Sequence, residues 1–325
     1  MTRRHHLPDS ARHLCWVDDS LVAACDNGSV LCLDTGPSPQ TDVNGPGVIH
    51  RLNSAPRTLS QRDGVIAIGA QDGTAVRREG RDFVKALAPT SIVASVVTPA
   101  GAVFATGDEL LVLDDAGSER HPLDIGLLTS LAALGDRLVA VGGVHGLCWF
   151  DVTRRSPQGY VRLPTIVAVE ADPLQRSVVA GELGGSMHVL EPHHVDGIEL
   201  SGFSDRVAEV AWLASGAAVC GVCDDEITRW DRTVSAFVEE PSILAGHDRP
   251  ITALAAHPRL DLLASGDDGG MVIVWAPHVA DEPIWRGHLD GIVLAVAWDG
   301  TGRRLAATSS DGTLIWLPTP SFDRR

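Results

Sequence analysis

The chain has 325 residues, of which 44% are hydrophobic, so it can bury a sizeable core and does not have the composition of a disordered protein. Its formal net charge of −16 excludes a general attraction to nucleic-acid backbones or anionic membranes. No apolar run approaches the ~18 residues of a membrane span. No apolar segment follows the basic start, so we expect a cytoplasmic protein without an export signal.

Short apolar runs that end in Gly, Asp, Asn or Pro recur along the chain and predict β-strands, whereas helical periodicity is nearly absent. The runs fall into eight units of about 40 residues, each with three clear strands. The units share a position at the end of the third strand. These positions are Leu33, Arg78, Leu113, Phe150, Leu190, Trp230, Trp275 and Leu317.

The first and second strands of each unit are joined by short turns. First strands are predicted at His13–Val17, Arg57–Ser60, Ile92–Val97, Leu128–Ala133, Ile166–Glu170, Val207–Leu213, Ile251–Ala255 and Ile292–Trp298. Second strands are predicted at Leu21–Cys25, Val65–Gly69, Val103–Thr106, Leu138–Gly142, Ser177–Gly181, Ala217–Val222, Leu262–Ser265 and Leu305–Ser309. Asp, Asn and Gly concentrate before each third strand, because these residues tolerate positive φ in tight turns.

More polar runs follow the third strands and predict a fourth, outer strand in each unit. Examples are Val48–Leu52, Phe83–Leu87, Tyr160–Leu163 and Ile284–Arg286. The last unit has only about eight residues after Leu317, including two prolines, so it cannot easily supply its own fourth strand. We therefore expect Arg3–Leu7 to pair as the outer strand of that unit.

The segment from Leu244 to Trp275 is the clearest unit, with Gly246-His247 near its start and Trp275 near its end. This unit resembles the WD-repeat (WD40) family of β-propellers, strongly over residues 198–318 and weakly over 1–197. A bacterial member is suggested by the single lysine among many arginines. The resemblance implies an all-β, single-domain propeller over residues 1–325, with eight blades favoured and seven as the alternative. Within it we expect a closing strand in 1–12, repeats in 13–318 and a tail in 319–325.

The resemblance also implies a structural hydrogen-bond network that joins a loop His, a strand Ser or Thr, a turn Asp and the third-strand Trp. Every unit departs from it. In the clearest unit Gly269 stands where the Asp is usual, and Asp268 is the expected substitute. The sixth unit has Phe203 and Cys220 in place of His and Ser. The expected network members are His247, Ser265, Asp268 and Trp275, with Asp224 and Trp230 in the sixth unit and His288 and Asp311 in the eighth.

Loops between the outer strand of one blade and the first strand of the next should open on one rim. Exposed loops on a rigid scaffold are common binding surfaces. The candidate partner-binding residues there are Arg57, Asp205, Arg206, Asp248, Arg249 and Asp290. Trp16, Trp212 and Trp298 end their first strands at matching positions, where packing between blades is favoured over an aromatic ligand site.

No nucleotide-binding or hydrolase motif occurs, so we expect no cofactor, no metal and no catalytic residue. The CxxC of Cys220 and Cys223 lies on a strand, where residues three apart point to opposite faces, so reduced, buried thiols are favoured. The expected function is a non-enzymatic scaffold or accessory subunit that binds proteins, without nucleic-acid or membrane partners. The alternatives are a channel enzyme or metal site built on Glu170, Glu209 and His257, and a nucleic-acid-associated scaffold.

Overall fold

The computed structural model describes residues 2–35, 46–194, 196–234 and 236–320. These residues form 32 β-strands in eight four-stranded antiparallel sheets. The first strands of consecutive sheets pack side by side, and that of the eighth sheet packs against that of the first. The sheets therefore close a ring, and the predicted eight-bladed β-propeller is confirmed over the seven-bladed alternative.

Each blade begins with a strand beside the central channel. These first strands are β2 (Ala11–Val17), β6 (Pro56–Arg62), β10 (Ile92–Thr98), β14 (Leu128–Leu134), β18 (Ile166–Ala171), β22 (Glu209–Trp212), β26 (Ile251–Ala256) and β30 (Val293–Trp298). The second strands are β3 (Ser20–Cys25), β7 (Val65–Ala70), β11 (Gly101–Thr106), β15 (Leu138–Gly143), β19 (Val178–Glu182), β23 (Ala218–Cys223), β27 (Leu263–Asp267) and β31 (Arg304–Ser309).

The outer half of each blade contains its third and fourth strands. The third strands are β4 (Ser29–Asp34), β8 (Thr74–Glu79), β12 (Glu109–Asp114), β16 (Gly146–Asp151), β20 (Ser186–Leu190), β24 (Glu226–Asp231), β28 (Met271–Trp275) and β32 (Thr313–Pro318). The fourth strands are β5 (Gly47–Arg51), β9 (Asp82–Leu87), β13 (Gly117–Pro122), β17 (Ser156–Val161), β21 (Ile198–Ser201), β25 (Ser242–Leu244), β29 (Pro283–His288) and, for the eighth blade, β1 (Arg3–His6).

The N-terminal strand closes the ring. β1 pairs antiparallel with β32, with Arg3 opposite Trp316 and His6 opposite Thr313. The ring of His5 stacks on Trp316 with 4.7 Å between centroids. The amide of Leu7 then donates to the carbonyl of Gly312 at 2.8 Å, which confirms the predicted closing strand. The division that we expect within the chain stays a prediction, and residues 321–325 of the expected tail lie outside the described residues.

The core consists of apolar layers between neighbouring blades. The layer between the sixth and seventh blades contains Val222, Leu263 and Trp275, all fully buried. The layer that joins the eighth blade to the first contains Trp16, Leu31 and Leu314. Each blade thus buries both faces against its neighbours, which is why repeated, mostly small and branched residues are required.

Seven of the eight first strands share a β-bulge near their start. The bulged residues are Arg12, Arg57, Val93, Thr129, Val167, Thr252 and Leu294. Bulges bend a strand and re-aim its side chains. Two of these residues bridge to the next blade: Thr129 donates to the carbonyl of Ile166 at 2.7 Å, and Thr252 donates to that of Val293 at 2.6 Å.

Candidate functional site: the rim and the mouth of the central channel

A buried polar chain in the seventh blade fixes one rim loop to the hairpin beneath it. His247 lies in the loop before β26, and its Nδ1 bonds to Asp267 Oδ2 at 2.7 Å. Its Nε2 bonds to Ser265 Oγ at 2.7 Å, and Ser265 Oγ accepts from Trp275 Nε1 at 2.8 Å. Burial lowers the pKa of His247, although the hydrogen bond to Asp267 opposes this shift. A neutral imidazole gives every polar atom of the chain a partner.

The acid in this chain is Asp267 and not Asp268, so that expectation was wrong. Asp267 is the last residue of β27 and lies two residues before Gly269. Its Oδ1 accepts from the amides of Gly269 and Met271 at 2.9 and 2.8 Å, so one carboxylate both closes the turn and binds His247. Asp268 is in the turn itself, where its amide donates to the carbonyl of Pro250.

The eighth blade does not repeat this network, and the role expected of His288 was wrong. His288 ends β29 on the surface, paired with Met271. His247 lies four positions before β26. The equivalent position in the eighth blade, four before β30, is occupied by Leu289, which is buried. Asp311 accepts from Ser309 Oγ at 2.6 Å and from the Thr313 amide at 2.9 Å, so it closes its own turn.

The sixth blade departs from the expected alignment because its hairpin turn is shorter. Trp230 pairs with Val219, whereas Trp275 pairs with Leu263. Counted from these pairs, Gly221 and not Cys220 stands at the position of Ser265. Trp230 Nε1 is buried without a hydrogen-bond partner among the described residues. Asp224 adopts φ 56° in the turn, and its carbonyl accepts from the amide of Ile251.

The fifth blade contains a buried polar pair that sequence reasoning missed. His188 Nε2 bonds to Glu182 Oε2 at 2.8 Å, and both residues are buried. Glu182 ends its second strand just as Asp267 ends β27. The only signal for this pair in the sequence was an acid at the end of a second strand. Its histidine partner lies on the third strand, whereas His247 of the seventh blade lies in the loop before the first strand.

All six candidate rim residues are exposed, and they lie in loops that lead into first strands or at their start. Asp290 is paired with Arg4 of the closing strand at 2.7 Å. Asp205 caps its own loop, because its Oδ1 accepts from the Arg206 amide at 2.7 Å. Arg57 is a bulged residue of the second blade. The rim is therefore a charged surface on loops that the blades hold in place.

The tryptophans that end first strands pack between blades. Trp16 Nε1 donates to the carbonyl of Ala297 at 3.1 Å, and Trp298 Nε1 donates to that of Ala255 at 3.2 Å, in each case on the preceding blade. Arg304 lies 4.5 Å over the Trp16 ring, and Arg232 lies 4.6 Å over the Trp212 ring. These contacts are structural ones.

His257 is not a channel residue, so its place among the alternative channel residues was wrong. It follows the end of β26 and is buried, with Nε2 bonded to the carbonyl of Gly302 in the next blade at 2.8 Å. Its Nδ1 accepts from the amides of Arg259 and Leu260 at 3.0 and 2.8 Å. The histidine beside the channel is His13, whose pKa desolvation lowers to about 4, so it is neutral at neutral pH.

The mouth of the channel forms a cavity of about 540 Å³ that opens among the first strands of the sixth, seventh, eighth and first blades. Glu209 lines it on one side, and Arg12 and His13 line it on the other. Between them the wall is aliphatic, with Leu254, Leu294 and Val296 among its residues. This volume lies in the range of roughly 300–1,000 Å³ that is typical of ligand pockets.

Two carboxylates of neighbouring blades share this channel. Glu170 of β18 and Glu209 of β22 are both reached by solvent, yet first strands surround them. Desolvation raises the pKa of each to about 7, and the charge of Glu209 contributes to the shift at Glu170. The channel therefore holds two carboxylates whose charge the protein itself disfavours.

The described residues contain no group of three or more His, Cys, Asp and Glu side chains placed to hold a metal ion. The six cysteines are unpaired thiols. Desolvation raises the pKa of Cys220 to about 12, whereas the thiol of Cys223 contacts Ser204 Oγ at 3.4 Å. Within the described ranges no helix is long and apolar enough to span a membrane.

Comparison with known proteins agrees with this geometry. The family model described as "WD domain, G-beta repeat" matches residues 239–276 and 282–316, which hold most of the seventh and eighth blades. No curated protein matches the chain. A solved structure of the computationally designed Ika8 protein is similar with a TM-score of 0.75 and 17% identity, over 97% of this chain and 98% of that chain. At this identity the likeness concerns the fold alone.

Proposed function

Since this chain is a WD-repeat β-propeller, we propose that it is a non-enzymatic scaffold or accessory subunit that binds a partner protein on its rim. Propellers of this kind are commonly protein-interaction scaffolds. The observation that carries the proposal is the rim itself, where exposed charged loops surround an open channel mouth. Binding residues are often placed on loops that a rigid framework holds in position.

The charges of the rim suit a polar protein surface. Arg206 and Arg249 are exposed cations on a chain whose net charge is −16, and exposed acids adjoin both of them in sequence. Complementary charges of this kind steer association and select partners more than they add affinity. Asp290 contributes less, because Arg4 already neutralises it.

The proposal is tested by affinity purification from the native host with a rim variant and a matched control. Arg206→Glu with Arg249→Glu reverses two rim charges. Arg81→Glu with Arg259→Glu makes the same charge change on exposed residues in turns away from the rim. We expect the rim variant to lose a co-purifying protein that the wild type and the control retain. Equal recovery by both variants would contradict rim binding, and a chain that purifies alone at every salt concentration would contradict a permanent subunit.

A further inference from the structure

Ionisable side chains in the first strands are confined to four of the eight blades. The first and second blades supply Arg12, His13, Arg57 and Arg62, and the fifth and sixth supply Glu170 and Glu209. In a ring of eight blades, the fifth and sixth lie opposite the first and second. The first strands on one side of the channel therefore carry arginines, and those on the opposite side carry carboxyl groups.

The protein neutralises two of the cations but neither of the carboxylates. Arg12 bonds to both oxygens of Asp26 at 3.0 Å. Arg62 bonds to the carbonyl of Gly135 at 2.9 Å and to the carboxylate of Asp136. Within the described part of the chain, Glu170 and Glu209 have no hydrogen bond or ion pair, and the charge of Glu209 disfavours that of Glu170. A cation from outside the chain would relieve this repulsion.

The cavity wall next to Glu209 is aliphatic, so it suits an occupant that has an apolar part as well as a charge. Leu254, Leu294 and Val296 line the same cavity, so an occupant with an aliphatic stem and a cationic end would bury the stem while its head meets the carboxylate. Lysine and arginine side chains have this form. Glu209 begins β22 near the rim, and Glu170 is the fifth residue of β18, so the two carboxylates lie at successive depths.

We propose that the channel mouth receives a lysine or arginine side chain from an extended segment of a partner protein, with its cationic group at Glu209 and Glu170. The proposal rests on the rim-binding function and names the chemistry that the rim selects. A segment of a protein is favoured over a small free cation, because Asp205 and Arg206 lie in the loop that leads directly into β22. A segment bound there can reach Glu209 while its backbone stays on the rim.

The test uses capped tripeptides as probes, acetyl-Ala-Arg-Ala-amide and acetyl-Ala-Lys-Ala-amide, with acetyl-Ala-Gln-Ala-amide as the uncharged comparison. Each is titrated into the purified full chain and followed by NMR of the backbone amides. We expect saturable binding of at least one basic peptide with a Kd on the order of 1–10 mM, and none of the glutamine peptide. Shifts should centre on β18, β22 and β26.

Glu170→Gln with Glu209→Gln should weaken that binding about tenfold or more, because it removes both charges while keeping shape. Glu240→Gln, on an exposed residue outside the first strands, should leave it unchanged. Equal binding by the doubly substituted chain overturns the proposal, as does the absence of saturable binding by the wild type. Binding of n-propylguanidinium without either basic peptide would identify a small-cation site and also overturn it. Failure here, with rim charge reversal still abolishing partner capture, would leave the proposed function standing.

Discussion

The substitution Ser265→Ala tests whether the polar chain of the seventh blade holds its rim loop. Ser265 is fully buried, and its hydroxyl accepts from Trp275 Nε1 and bonds to His247 Nε2. Removing the hydroxyl leaves two buried nitrogen atoms without partners. Each unsatisfied buried group costs about 1–3 kcal/mol, and the two share one site, so we expect a loss of about 2–4 kcal/mol.

The assay is equilibrium urea unfolding followed by tryptophan fluorescence, with Ser118→Ala as the control. Ser118 is exposed on β13, so its substitution should change the free energy of unfolding by less than about 0.5 kcal/mol. A double-mutant cycle with His247→Ala should be non-additive, since both changes break one chain. If Ser265→Ala costs no more than Ser118→Ala, the polar chain does not stabilise the blade.

Three further predictions concern the turns, the channel and the closing strand. Gly270→Ala should lower the free energy of unfolding in urea by about 2 kcal/mol or more, because φ is +92° and the new Cβ would lie 2.2 Å from the carbonyl oxygen of Leu289. The control Gly80→Ala, where φ is +57° and the space around the new Cβ is open, should lower it by less. Glu170 and Glu209 have raised pKa values of about 7, so the folded state binds their protons more tightly than the unfolded state does. Their contribution to the free energy of unfolding therefore falls as pH rises from about 4.5 through 7. Glu170→Gln with Glu209→Gln should therefore raise the Tm near pH 8 but not near pH 4.5, and an equal change at both pH values would contradict the assigned cause. Deleting residues 2–6 should lower the Tm by roughly 5 °C or more and promote association through the exposed edge of β32, whereas Arg3→Ala, which keeps the backbone pairing, should not.

The ring could be predicted from the sequence because its signals are local and repeated. Apolar alternation and Gly-rich turns recur at a nearly constant spacing, so the strands and the blade count follow from periodicity. The role of Arg3–His6 as the closing strand could be predicted because the last unit has no clear fourth strand of its own after Leu317. Boundaries differ in places: β17 covers Ser156–Val161 against the expected Tyr160–Leu163, and its pairing with β16 contains a bulge between Trp149 and Phe150.

The buried polar contacts could not be predicted at the same accuracy, because they depend on loop and turn lengths that vary by one or two residues. A one-residue difference put Leu289 where His288 was expected, and the shorter turn after Cys223 moved Gly221 into the place assigned to Cys220. Glu170 and Glu209 were named as channel residues from the sequence, whereas Arg12 and His13, which line the cavity together with Glu209, were not. The blade count decides which first strands face each other across the ring, and bulges decide which residues line the mouth.

Site-specific photo-crosslinking in the native host tests rim binding most directly. A photoreactive amino acid replaces Ile292, which is 41% exposed beside the channel mouth, or Val279, which is 55% exposed in the loop between β28 and β29. A partner that binds the rim should give a discrete crosslinked product from position 292 and none from position 279. A product from position 279 alone, or from neither position, would contradict the proposal that this propeller binds a protein through its rim.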